Sequence, residues 1–532
     1  MMGMKKQQGT APDVRAGHDS IFGLEGTRRK DLLFFIVLLT AHIGLAWWVS
    51  YFPTQDGPSH LYNLAILRDL VHDGGATWGQ FLTYRAFNIT NNGFNAIAML
   101  LVGRYSPFII EKIFISLYVI MTTLSCVALM KSLNKPLFPV GYLILPVLYN
   151  LNLMMGFYSY AIAVPVLILA LAFQLRGITS YKLDFLISNL FGFLLFYLHS
   201  FAFCLFLAGA IVITLGASWY ARPRRFASAL PGIVKLIPCL AILVFYLATA
   251  ESTFVTGGSL LSSVSGTMSV ERSGVLLAKL FLFSLDTFSP LQLLPISMLL
   301  FVVILCFYNR LKNLSQTDVS VRDKVLILVV VVFVLFYFVL PFRIGNGSFI
   351  NERLLFVVYL LLLPLLEIPR DSFIEKYARV VFLTVTVVFF VTSAGVICHE
   401  ASRVEMFMAG LNVNIPKSSF VMGYKRQRNE WSRVDPLLHA SSYYGLSKKC
   451  VDVGNYEADK PYFPIAFKHE AQPLPDADLV VYYPETIDMS LYPHITYIIG
   501  YRLIPEDEHR LNALFTTVMR KDNVTVWKRR SL

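Results

Sequence analysis

Four short segments of this 532-residue sequence carry ionisable side chains at the ends of apolar runs. They are TQDGPSHLYN with Asp56 and His60, TYRAF with Arg85, LLFYLHSFAF with His199, and PFRIGNGSFINER with Glu352 and Arg353. A carboxylate such as Asp56 can take a proton from a hydroxyl or amine as that group attacks. It can equally cap the helix that Gly57-Pro58 begins, and both readings stand. His60, one turn on, is a partner for Asp56 or an interfacial polar group. Arginine offers a planar fork of donors that suits a phosphate, so Arg353 is a candidate anion site. It can also snorkel to a headgroup layer. Glu352 is its ion-pair partner or a second acid. A lone histidine such as His199 is often structural, but ionisable groups at membrane depth are costly and tend to face a cavity. His199 and Arg85 are therefore comparable candidates to donate to a phosphate. Glu111, Glu251 and Asp286 read as loop charges or caps.

These groups need elements to hold them, and the composition says what kind. The chain is 56% hydrophobic and only 15% charged, with a mean hydropathy of +0.59. An ordinary soluble chain carries roughly 25% charged residues. A cytosolic enzyme, a disordered chain and a disulfide-rich secreted scaffold are excluded as descriptions of the whole. A multi-pass α-helical membrane protein remains. Apolar runs fall at 32–52, 108–130, 136–152, 157–175, 184–198, 200–217, 229–249, 290–308, 325–342, 353–368 and 379–397. A span needs about 20 residues. The stretch 184–217 is too long for one crossing and fits two short ones that turn at His199. The first run lacks a cleavage site and reads as an uncleaved anchor.

That reading gives about 11 spans with the N-terminus inside and residues 1–31 as a cytoplasmic segment. Lys and Arg then number 21 in inside segments and 8 in outside segments up to residue 397. This is the positive-inside bias, and it accounts for most of the net charge of +12. The charge is topological and gives no support to nucleic-acid binding. A long first outer loop, 53–107, holds two apolar stretches that are too polar or too short to span. The first of these, from Pro58, has no clean two-faced pattern and is expected to lie at the interface, covered by other segments.

Residues 398–532 change character, with charges, prolines and the β-type runs DLVVYY, ITYIIGY and NVTVWKR. A helix is expected over 505–521. The tail reads as a small α/β extracytoplasmic domain. Cys398 and Cys450 lie outside the spans and could pair on an oxidising face or stay free. GFYSYA and Trp47-Trp48 read as interfacial aromatic belts. The sequence has no Walker loop, no HExxH, no GxSxG and no Rossmann glycine pattern.

An acidic residue directly after the first span, two juxtamembrane helices, short paired spans around His199 and a soluble tail resemble the GT-C fold glycosyltransferases. These include protein mannosyltransferases and aminoarabinose transferases. The resemblance implies a polyprenyl-phosphate sugar as donor, a lipid, glycan or protein acceptor, and transfer with inversion outside a bacterial inner membrane. It implies Asp56 as catalytic base and a basic residue in a late outer loop, here Arg353, on the donor phosphate. Many members carry two neighbouring acids in the first loop, whereas Gln55 precedes a lone Asp56 here, which counts against a bound divalent metal. No other cofactor is implied. A flippase or transporter would show broken, charged helices at the bilayer midplane and repeated halves, and neither is found. A ligase or polymerase of lipid-linked glycans, or a non-catalytic assembly factor, differs in acceptor size or in tolerance of a changed Asp56.

Overall fold

A computed structural model describes residues 27–85, 89–177, 180–220, 229–254, 270–281, 289–313, 319–344, 347–368, 373–426, 432–460, 463–471, 474 and 477–530. The N-terminal segment up to residue 26 and Asp286 lie outside them, as does the side chain of Glu251. Each of the eleven apolar runs falls on helical structure. The helices are α1 (Thr27–Trp48), α2 (Gly57–His72), α3 (Gly93–Ala98), α4 (Pro107–Ser132), α5 (Leu151–Met154), α6 (Tyr158–Arg176), α7 (Tyr181–Leu198) and α8 (Ser200–Tyr220). They continue with α9 (Leu230–Val234), α10 (Ile237–Phe254), α11 (Val270–Phe281), α12 (Leu293–Asn313), α13 (Val321–Val339), α14 (Arg353–Leu362) and α15 (Phe373–Phe407).

Among the described residues, seven helices are long and apolar enough to cross a membrane, and three apolar helical segments are shorter. Two of the short ones have local causes. Pro146 interrupts 140–154, and Pro364 tightens the end of α14 into a 3-10 turn. Helix α13 begins with Arg322, Asp323 and Lys324, which interrupt its apolar run. Asp323 accepts from Lys135 at 2.9 Å and pairs with Arg310, which also reaches Glu367 at 3.1 Å. That buried network ties the far end of α4 to α12 and α13. Helices α7 and α8 meet at His199, as the sequence reading expects.

The tail forms a five-stranded sheet in the order β3-β2-β5-β7-β6, with β2 (Phe420–Lys425), β3 (Val451–Asp452), β5 (Ile495–Tyr501), β6 (Phe515–Lys521) and β7 (Val524–Arg529). Strand β2 pairs in parallel with β3 and β5, and the β5–β7 and β7–β6 pairs are antiparallel. Helices α16 (Ser441–Lys448), α17 (Tyr456–Asp459), α18 (Ala477–Tyr482) and α19 (Pro505–Leu514) complete it. Two expectations are corrected here. DLVVYY lies largely in helix α18, because a short apolar run does not by itself distinguish strand from helix. The helix from Pro505 stops at Leu514, and FTTVMRK is strand β6, paired with β7 from Phe515↔Arg529 to Lys521↔Val524. Its β-branched residues suit an edge strand with one exposed face. Helix α15 runs ten residues past the apolar stretch into the tail.

The two halves are sewn together through α2. Leu61 and Leu64 sit in the core of the helical bundle, whereas Tyr62, Ile66 and Leu67 pack into the core of the sheet domain. Both faces are buried, which is why the helix has no clean polar side. Each fully buried large side chain contributes roughly 1.5–3 kcal/mol. The first loop also supplies strand β1 (Leu82–Tyr84), which pairs antiparallel with β4 (Ile465–Phe467) of the tail. Cys398 and Cys450 are both free thiols, and Cys450 Sγ contacts the Pro416 carbonyl at 3.6 Å.

Candidate active site

Asp56 immediately precedes α2, and its carboxylate makes no capping bond to the helix. The cap reading is thereby removed. The backbone around it is pinned to the turn after α5. Gln55 N–H donates to Met154 O at 3.0 Å and Asp56 N–H to Met155 O at 3.1 Å. Gly156, at φ +85°, packs so closely that a Cβ there would lie 2.9 Å from Asp56 Cβ and 2.9 Å from Asp56 N. The side chain is nearly buried. Gln55 Nε2 lies 3.4 Å from Asp56 Oδ1, and His439 Nε2 of the sheet domain lies 3.5 Å from the same oxygen.

Gly57 sits against a polar knot of Thr54, Glu111 and Tyr158. Tyr158 O–H donates to Glu111 Oε1, and Thr54 Oγ1 is 2.8 Å from the Tyr158 hydroxyl. Glu111 is 1% exposed, so it is a buried bundle residue and not a loop charge. A Cβ on Gly57 would lie 2.1 Å from Thr54 Oγ1 and 2.8 Å from both Glu111 Oε1 and Tyr158 O–H. Gly57→Ala is therefore expected to cost about 1–3 kcal/mol or more in stability. Thermal melting in detergent checks this, with Gly103→Ala as the control, since nothing lies within 4 Å of a Cβ there.

His60 faces the same turn. Its Nε2 donates to Gly156 O at 2.8 Å, and its Nδ1 is 2.8 Å from Glu457 Oε1. Burial alone would push the imidazole down, but the Glu457 carboxylate, with help from Asp56, holds it up at about 9. A raised value in the folded state stabilises fully below the ordinary 6.5, and that contribution is lost as pH rises through about 9. The melting temperature of wild type is expected to fall over that window more than that of His60→Gln. Equal slopes would show that the pair does not titrate in this way.

The segment that cradles Asp56 also cradles Arg353. The Arg353 guanidinium lies 4.3 Å over the Phe157 ring and 5.3 Å from the Tyr160 ring, and Tyr160 O–H donates to Arg353 O at 2.9 Å. Phe157, Tyr158 and Tyr160 thus face inward and form no interfacial belt, whereas Trp47 and Trp48 are exposed. Arg353 Nη1 is 3.1 Å from His199 Nε2, and Phe201 N–H is 3.2 Å from His199 Nδ1. Burial, then the Arg353 charge, holds His199 well below the usual imidazole range, so the ring is neutral. A neutral ring has one acceptor nitrogen but faces an N–H on each side. Whichever nitrogen carries the proton, two donors point at each other. An anionic oxygen beside Arg353 would accept from both.

The other two predicted residues are used elsewhere. Arg85 donates through its side chain to Lys460 O and through its backbone to Pro464 O at 2.7 Å, fixing the β1–β4 link. Glu352, 1% exposed, is paired to Lys279 on α11 and lies 3.3 Å from Arg433 Nη2. It is not the ion-pair partner of its neighbour Arg353. Among the described residues, no group of three or more His, Cys, Asp or Glu side chains is arranged to hold a metal ion. Sequence reasoning missed His439, Glu457 and Gly156. Only the glycine left a local signal, since a Gly between α5 and α6 marks a left-handed turn.

No protein-family model and no curated protein sequence matches this chain. Among solved structures, the chain aligns with ArnT from Cupriavidus metallidurans bound to undecaprenyl phosphate, with a TM-score of 0.52 at 11% identity. The match covers 94% of this chain and 98% of that one. The chain has the GT-C fold. It is an integral membrane protein, mostly helical, with a small sheet domain after the bundle. The arabinofuranosyltransferase AftD from Mycobacteria aligns with a TM-score of 0.45 at 13% identity, over 96% of this chain and 40% of that one. In this GT-C fold the segment 154–160 touches both groups, through Met155 and Gly156 at Asp56 and through Phe157 and Tyr160 at Arg353.

Proposed function

We propose that this protein is a membrane glycosyltransferase that moves a sugar from a polyprenyl-phosphate donor to a lipid, glycan or protein acceptor, on the extracytoplasmic face and with inversion. The observation that carries the reading is the placement, against one segment, of a nearly buried carboxylate and of an arginine beside a histidine. The likeness to a protein bound to undecaprenyl phosphate supports the choice of donor.

In this mechanism Arg353 and His199 hold the donor phosphate. Asp56 accepts the proton of the acceptor hydroxyl or amine. The acceptor atom bonds to the anomeric carbon as the bond from that carbon to the phosphate oxygen breaks. One displacement inverts the centre. Negative charge grows on the leaving phosphate, and preorganised donors there stabilise the transition state more than the ground state. Burial of the guanidinium strengthens that term, because little water screens it.

The test uses the purified protein in lipid nanodiscs with a panel of short-chain polyprenyl-phosphate sugars and candidate acceptors. Release of polyprenyl phosphate that depends on one sugar is the expected result. Binding of donors without release, in the presence of lipid, glycan and peptide acceptors, would overturn the transferase reading.

A further inference from the structure

The sheet domain places a buried titratable group against Asp56. His439 comes from the sheet domain, just before α16, and is 4% exposed. Its Nε2 points at Asp56 Oδ1 from 3.5 Å, a separation that can tighten in a substrate complex. Its ring lies 4.5 Å from that of Tyr456 at 32°. A second carboxylate, Asp452, interacts electrostatically with it. Asp452 is 1% exposed and accepts from Ser442 Oγ at 2.7 Å, Ser441 Oγ at 3.1 Å and Gly454 N–H at 3.0 Å.

We propose that His439 receives the proton that Asp56 takes from the acceptor, so that the sheet domain supplies half of the base. This rests on the transferase reading. A carboxylate is a weaker base than an imidazole, so a proton taken by Asp56 moves downhill to a neighbouring ring nitrogen. The acceptor O–H or N–H bond breaks and Asp56 takes the proton. The acceptor atom bonds to the anomeric carbon as the leaving phosphate departs with its electron pair. Asp56 then hands the proton to the imidazole, which leaves Asp56 a carboxylate paired with an imidazolium, with Asp452 as a further negative charge for that cation. His439 thus acts through Asp56, as a positioning residue that also stores the proton.

Among the described residues, other charged groups near the pair have partners of their own. His60 is paired with Glu457 and interacts with Asp56, and Glu111 interacts with His60. On the Gln55 side, Asp435 N–H is 3.3 Å from Gln55 Oε1, and the Asp435 carboxylate is paired with Lys425, near Arg403 and Glu400. His439 Nε2, at 3.5 Å from Asp56 Oδ1, is the ring nitrogen that faces the carboxylate from the sheet domain.

The test compares wild type, Asp56→Asn, His439→Gln and His439→Ala in nanodiscs. Release of polyprenyl phosphate from the donor panel is followed from about pH 5 to 9, beside melting temperature and affinity for polyprenyl phosphate. Glutamine can still donate to Asp56 but cannot store a proton. His439→Gln is expected to keep the melting temperature and to bind polyprenyl phosphate within about two-fold of wild type. Its release rate is expected to fall on the order of 10²-fold, with the acid limb of the rate profile moved down by about one pH unit or more. Wild-type rate and limb in His439→Gln would overturn the proposal, because a hydrogen-bond donor then suffices. A rate loss with an unmoved limb would overturn it too, in favour of a structural role. Release sensitive to Asp56→Asn but not to either His439 variant sinks this proposal alone. Release that is indifferent to Asp56 sinks the base assignment beneath it, and no release from wild type with any donor sinks the transferase reading and this proposal together.

Discussion

Asp56→Asn is expected to abolish sugar transfer while the protein folds and binds donor as wild type does. The substitution keeps shape and backbone contacts. Those contacts are the N–H to Met155 O at 3.1 Å and the Asp56 carbonyl that accepts from His60 N–H at 3.1 Å. The lost carboxylate caps nothing, so helix α2 loses no side-chain bond from its start. What disappears is the ability to take a proton, worth about 10²–10⁴-fold in rate. Measured release of polyprenyl phosphate should drop by that factor with an unchanged affinity for the donor. A variant that retains full rate would show that Asp56 is a structural residue and that the base lies elsewhere. His60 is no substitute, because both of its ring nitrogens are already engaged, Nε2 by Gly156 O at 2.8 Å and Nδ1 by Glu457 at 2.8 Å.

Arg353→Ala should act on the other half of the reaction and show a different signature. The guanidinium lies against Phe157 and beside His199 Nε2, which leaves a phosphate two converging donors. Truncating one partner of a buried charged contact costs about 2–5 kcal/mol, or roughly 30-fold to several thousand-fold. Both donor affinity and the rate of release should fall, since the leaving phosphate carries more charge in the transition state than in the ground state. Arg353→Lys keeps the charge but not the fork or the stacking, and should recover only part. Arg85→Ala is the informative control. Its contacts fix the β1–β4 link to the tail, so it should lower stability without a selective loss of phosphate binding. If Arg85→Ala weakened polyprenyl phosphate binding as much as Arg353→Ala, the phosphate site would have to be redrawn toward the first loop.

Much of this was legible in the residues because membrane insertion writes itself in long apolar runs. The eleven runs, the turn at His199, the tail's change of character and Asp56 at the start of α2 all follow from hydropathy and from Gly-Pro punctuation. Short elements were less readable. DLVVYY and FTTVMRK are too brief for periodicity to separate strand from helix, and pairing with β7 decided the second. The ambiguous wheel of α2 was itself a signal, since a helix buried on both faces shows no polar side.

The sequence alone thus determined the class of protein and which loop holds a carboxylate, because both depend on local composition. Only the tertiary structure decided the company that carboxylate keeps. Segment 154–160 touches both Asp56 and Arg353, the sheet domain adds His439 and Glu457, and Glu352 turns to Lys279 and Arg433. Those contacts join residues well apart in the chain, 73 positions for Glu352 and Lys279 and 383 for Asp56 and His439. They are set by how helices and sheet pack, and no pattern along the chain encodes them.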